Sequence, residues 1–309
     1  MDRGPIIGPP RDFVGYGGRP PRVRWPNDAT VAVNLVVNYE EGSELSMGSG
    51  DPAGEARGES GRAMPAGIRN VAEDSMYEYG SRAGIWRLLG MFDEYRVPAT
   101  MFACAAALEV NPAVAKAITT AGHDICGHGY RWTEPWTLTR DEERAEIVKA
   151  IASFQRTCGT RPLGWYWRFG STVHTRELLV DIGGFLYDSD TYNDDLPYWT
   201  TVSGKRHLIL PYSVTYNDSQ GSRSPNSLLQ YCRRGLDELR REGLAGAPKM
   251  MSIGLHPRRT GHAARASALR EFIEYALSLG DVWFARREDI ARHWIDHSAE
   301  FATAGSDRT

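Results

Sequence analysis

The chain has 309 residues, 41% hydrophobic and 24% charged, with a formal net charge of -3. That is enough chain for one large core, an ordinary globular composition, and a charge balance with no footprint for nucleic acid. No apolar run approaches the ~20 residues that cross a bilayer, and the first stretch is rich in Gly, Pro and Arg where a hydrophobic leader would stand, so a cytoplasmic protein without membrane partners is expected.

From the N-terminus, residues 1–25 read as an extended arm punctuated by Gly and Pro, lying against the domain or a neighbouring subunit. A β-branched run at 31–37 reads as a buried strand. Residues 43–67 are too polar and Gly-rich for a core element; they read as a loop, either a lid or a surface excursion. Helical period follows at 78–95, with Ser75 and Glu78 as a capping box and Ile85, Leu88, Leu89 and Phe92 on one face. Next come a strand at 100–104 and a helix at 140–158 opened by a capping box of Thr139 and Glu142. Strands at 164–167, 185–187, 208–210, 251–255 and 282–285 then alternate with helical segments at 175–182, 227–242, 266–279 and 287–297. Alternation of this kind predicts an α/β fold with a largely parallel sheet. No linker divides the chain, so one domain is expected over 26–298 with a tail at 299–309. The four cysteines, Cys104, Cys126, Cys158 and Cys232, show no CxxC pairing, which argues against a zinc knuckle or a disulfide framework.

Three short segments carry chemistry. Asn38-Tyr39-Glu40-Glu41-Gly42 sets two carboxylates at the end of the first strand. His123-Asp124-Ile125-Cys126-Gly127-His128-Gly129 supplies a histidine after another apolar stretch, and Gly254-Leu255-His256-Pro257 another after the 251–255 strand. Taken singly, an acidic pair is usually a solvated turn and a lone histidine usually structural. Placed at the ends of different parallel strands, they converge on one mouth.

These segments, in order with 164–171, Tyr187-Asp188-Ser189-Asp190 and Asp194-Asp195-Leu196-Pro197-Tyr198, resemble the five motifs of the polysaccharide deacetylases. Further blocks, Tyr77-Glu78-Tyr79-Gly80-Ser81-Arg82-Ala83-Gly84, Arg161-Pro162-Leu163-Gly164-Trp165-Tyr166 and Asp289-Ile290-Ala291-Arg292-His293-Trp294, are similar to the cofactor-independent, allantoinase-like branch of that superfamily. The resemblance implies a distorted (β/α) barrel of about seven parallel strands. It places Glu40 at the general-base position, Glu41 at the metal-binding carboxylate, His128 at the first metal histidine and His256 at the general acid.

The chain also departs from the general pattern. Trp132 stands where the second metal histidine belongs, and Tyr166 where the arginine that orients the base belongs; Arg168 is expected to reach that place. Trp167-Arg168-Phe169-Gly170 replaces the turn usual in the allantoinase-like branch. No cofactor is therefore expected, the alternative being a divalent metal such as zinc on Glu41 and His128. The expected substrate contacts are Glu41, His128, an aromatic pocket of Trp132, Tyr166 and Trp167, and Asp195. The leading expectation is a hydrolase opening a small cyclic amide, ureide or imide; the alternative is a metal-dependent N-deacetylase of a sugar or peptidoglycan-like substrate. The resemblance further implies a homo-oligomer, the related branch tending to form tetramers.

Overall fold

The structure is a computed structural model and describes residues 8–55, 58–61, 64–219 and 225–301. Parts of the expected arm (1–7), loop (56–57 and 62–63) and tail (302–309) lie outside the described residues. Nine strands form one sheet: β1 Val31–Tyr39, β2 Ala99–Ala103, β3 Asp124–Gly127, β4 Gly164–Trp165, β5 Tyr187–Asp188, β6 Tyr198–Val202, β7 Lys205–Ile209, β8 Lys249–Leu255 and β9 Val282–Phe284. The order is β6-β7-β5-β4-β3-β2-β1-β8, with β9 beside the first residues of β1. Every pairing is parallel except β6 with β7. The sheet curls strongly into a half-barrel, so the expected distorted barrel in one α/β domain is what the chain forms.

All nine residues of β1 are buried, as expected of a strand covered on both faces. Around the sheet lie α1 Val71–Tyr79, α2 Ile85–Tyr95, α3 Ala105–Val110, α4 Pro112–Thr120, α5 Arg140–Cys158, α6 Thr175–Ile182, α7 Pro225–Leu244, α8 Ala263–Ser278 and α9 Arg287–His297. The capping box of Thr139 and Glu142 opens α5 as its sequence predicts. The one proposed at Ser75 and Glu78 does not exist. Asn70 caps the helix instead, accepting from Glu73 N, and Ser75 sits inside α1 with its hydroxyl donating to Ala72 O. Helical hydrogen bonding then continues through a π segment, Gly80–Gly84, into α2, whose predicted apolar face of Ile85, Leu88, Leu89 and Phe92 is buried.

The π segment has a packing cause. A Cβ at Gly80 would stand 2.5 Å from the Glu41 carboxylate, and one at Gly84 would stand 2.1 Å from Pro257 O. Only a bare backbone can press so closely on both loops, and a widened turn is how it fits. No described helix is long and apolar enough to cross a membrane.

Candidate active site

Because β1, β3, β4 and β8 run parallel, the residues after them meet at one rim. Gly42, at φ 90, turns the chain sharply after β1, and Ser43 locks that turn by donating both N–H and hydroxyl to Glu40 O. Glu40 and Glu41 are thereby held in the interior, both almost wholly buried.

Three groups converge on the Glu40 carboxylate. His128 Nε2 lies 3.2 Å from Oε1, while its Nδ1 donates to Tyr166 O at 2.8 Å, which fixes the ring's orientation. His256 Nε2 lies 3.7 Å from the same Oε1. Arg258, two residues further on, forms an ion pair from Nη2 to Oε2 at 2.7 Å. Burial alone would push Glu40 up, but Arg258, then His256 and His128, outweigh it and hold the carboxyl well below the usual carboxylate range. Glu41 goes the other way. Burial raises it, Arg258 only partly opposes, and the charge on Glu40 adds to the rise. Its Oε2 accepts from Glu40 N at 3.0 Å and its Oε1 from Arg258 N at 3.2 Å.

His256 is held from behind by Asp218. Asp218 Oδ1 accepts from His256 Nδ1 at 2.5 Å, and Oδ2 accepts both from His256 N at 2.8 Å and from Thr260 Oγ1 at 2.5 Å. Asp218 is buried, yet its contacts with His256 and Thr260 outweigh that and keep its carboxyl below the ordinary range. A carboxylate on Nδ1 leaves Nε2 as the nitrogen presented to Glu40 and to anything bound beside it.

The expected aromatic contacts divide. The Tyr166 ring stacks on His128 at 5.2 Å and 8°, and Trp132, buried, has the guanidiniums of Arg168 and Arg258 over its ring, 3.6 and 5.2 Å from its centre. Both belong to the cluster. Trp167 is fully buried, edge-on to Trp165 at 5.2 Å and packed beside Gly129, with no surface left to meet a substrate. Asp195 is elsewhere as well: it is exposed, and its carbonyl accepts from Met250 N near the start of β8, the end of the barrel opposite Glu40.

Arg168 does not reach Glu40. Its guanidinium forms a two-pronged pair with Glu55, at 2.6 and 3.0 Å, and donates to Trp132 O at 2.6 Å. The partner of Glu40 is Arg258, which the sequence reading passed over although it follows His256 directly after Pro257. Arg168 is thus an anchor for the 43–67 segment. Arg168→Met should cost about 3–5 kcal/mol in denaturant unfolding by stranding the buried Glu55 carboxylate, and Glu55→Met combined with it should recover part of that. A large fall in kcat at unchanged stability would return Arg168 to the catalytic set.

Two other acids of the same segment are held alike. Asp51 pairs with Arg131 at 2.6 and 2.7 Å, and Glu59 pairs with Arg258 at 2.8 Å and Arg259 at 2.7 Å. Asp51, Glu55 and Glu59 fasten this strap to loops that follow β3, β4 and β8.

The residues present do not suit a divalent metal. Among the described residues no group of three or more His, Cys, Asp or Glu side chains could hold one. A zinc-like site wants three protein ligands, and Trp132, whose indole nitrogen only donates, stands at the third position. The Arg258 guanidinium already spans Glu40 and Glu41, where a second cation would be repelled.

Residues 74–183 match the sequence profile of the family described as polysaccharide deacetylase. A Schizosaccharomyces pombe protein assigned to the polysaccharide deacetylases is 37% identical, the match covering 92% of this chain and 96% of that one. A crystal structure from Pseudomonas aeruginosa PAO1, likewise assigned to the polysaccharide deacetylases, is 47% identical with a TM-score of 0.87, covering 94% of this chain and 98% of that one. The crystal structure of Puue allantoinase is 46% identical with a TM-score of 0.88 over the same shares. With identity at this level along nearly the whole of both chains, the protein belongs to the polysaccharide deacetylase family.

Proposed function

We propose that this chain hydrolyses a carbon–nitrogen bond in a small cyclic amide, ureide or imide by proton transfer between side chains. The observation that carries the reading is the position of Arg258, a fixed cation lying across two carboxylates beside a histidine held by Asp218. Members of this family are generally hydrolases acting on C–N bonds, and the likeness to Puue allantoinase supports a cyclic ureide over a polymer.

In this reading Glu40 is the base. A water attacks the carbonyl carbon and gives its proton to Glu40, and the C–N electron pair leaves with nitrogen as His256 Nε2 protonates it. Glu40 and His256 are matched for this. Glu40 takes the water's proton as the attack occurs, and His256 gives its own up as the C–N bond breaks, which removes one of the attractions that hold Glu40 down and leaves it better able to keep that proton. His128 Nε2 faces the same space; with its Nδ1–H donating to Tyr166 O, it polarises the carbonyl oxygen as a donor in the imidazolium form. Glu41 accepts an N–H of the substrate or orients the water.

The test is a panel of cyclic ureides, amides and imides set against N-acetylated sugar oligomers, followed by the carboxylate or acetate released. Turnover confined to the ring compounds supports the reading. Acetate release from the oligomers alone would favour the N-deacetylase alternative, which the names of two of the relatives suggest.

A further inference from the structure

The guanidinium of Arg258 has three edges, each facing a different carboxylate: Nη2 meets Glu40 at 2.7 Å, Nη1 meets Glu41 at 3.5 Å and Nε meets Glu59 at 2.8 Å. The first two acids belong to the turn after β1. Glu59 belongs to the strap, and its own backbone is fixed from a third direction. The N–H groups of Glu59 and Ser60 donate to the two Glu73 carboxylate oxygens at 2.5 and 2.8 Å, and Gly58 sits so close that a Cβ there would stand 2.2 Å from the Glu73 carboxyl carbon. Glu73 is itself buried on α1. From α1 through Glu73 to Glu59, then, runs a rigid support for the Nε edge of Arg258.

We infer that Glu59 is a positioning residue for the reaction proposed above: by holding the Nε edge of Arg258, it aims the other two edges at Glu40 and Glu41. An arginine side chain is long, and its fork orders only when its edges are occupied. Arg258 also lies over the rings of Tyr77 and Trp132, at 4.7 and 5.2 Å, which fix its plane but not its rotation within that plane. Rotation is set by the three acids, and Glu59 is the one that takes no part in the chemistry. The base is accordingly correctly paired only while the 58–60 segment is seated on Glu73. Arg259, which shares Glu59, is partly exposed and carries the support out to the rim.

The inference rests on the hydrolase reading, and its test has one arm that does not. Glu59→Gln keeps shape and removes the charge, so it should lower kcat about 10²-fold, the scale of an ångström's misplacement in a site, while KM moves little. Glu59→Asp, which keeps the charge, should restore a large part of that loss. A crystal structure of the Glu59→Gln variant should show Arg258 turned from its contact with Glu40 Oε2. The inference is overturned if Glu59→Gln keeps kcat within about twofold, or if both variants lose activity equally along with thermal stability. It is overturned too if Arg258 holds both Glu40 and Glu41 unchanged in the variant crystal. Wild-type protein inactive on every compound of the panel would sink the hydrolase reading, and the crystal structure would then judge the placement of Arg258 by itself.

Discussion

Glu40→Gln should lower kcat by about 10²–10⁴-fold, the worth of a positioned general base, with little change in KM or thermal midpoint. The amide keeps the carboxylate's shape, and Arg258 retains Glu41 and Glu59 as partners, so no buried cation is stranded. What is lost is the carboxylate that faces both histidines, 3.2 Å from His128 Nε2 and 3.7 Å from His256 Nε2. Glu41 does not simply replace it, because burial, the largest cause of its raised pKa, persists in the variant. Turnover of Glu40→Gln at near wild-type rates would transfer the base role to Glu41.

His256→Asn should cost about as much, 10²–10⁴-fold, and the loss should deepen as the leaving nitrogen becomes a poorer leaving group, because the variant can no longer protonate it. Asp218→Asn should follow the same trend at smaller amplitude, since Asp218 touches His256 and not the substrate. With the carboxylate gone from Nδ1, the imidazole is free to present the wrong nitrogen or the wrong charge. The check is a series of substrates graded by leaving-group basicity, run on wild type and both variants. A loss that is flat along the series would show His256 to be structural.

What the sequence revealed and what it concealed follow from how each residue reaches the site. Glu40, Glu41, His128 and His256 each lie directly after a strand of one parallel sheet, so strand ends alone bring them together. Asp218 follows no strand. It lies in a coil whose one described pairing is an isolated bridge from Asn217 to Gly254, and Gly254 is bare because a Cβ there would meet Tyr212 and Asn217. Nothing in a linear pattern marks such a residue. Arg258, which had no expected role, takes the place expected of Arg168 for a similar reason: the acids that hold the two arginines, Glu59 and Glu55, come from a polar, Gly-rich segment whose contacts arise only on folding. The 4-residue spacing of Asp51, Glu55 and Glu59 was visible, but without helical period it had no local meaning. Asp195 failed for the opposite reason. Its block does build structure, leading into the antiparallel β6–β7 pair, yet Asp195 itself bonds to Met250 near the start of β8, the end of that strand remote from His256.

Helix boundaries show the same division. α5 carries its capping box in four consecutive residues and was legible in full. The start of α1 depends on Asn70, and its passage into α2 depends on Gly80 and Gly84 meeting Glu41 and Pro257, contacts made across the fold.

Metal content and turnover, measured on one preparation, separate proton-transfer hydrolysis with Arg258 as the resident cation from the metal-dependent chemistry of a deacetylase. After exhaustive dialysis against a strong chelator, the protein should hold well under one metal per chain and keep its full rate on its best cyclic substrate. Loss of that rate on chelation, restored by adding a divalent ion to the unmutated protein, would contradict the role given to Arg258 and return Glu41 and His128 to service as metal ligands.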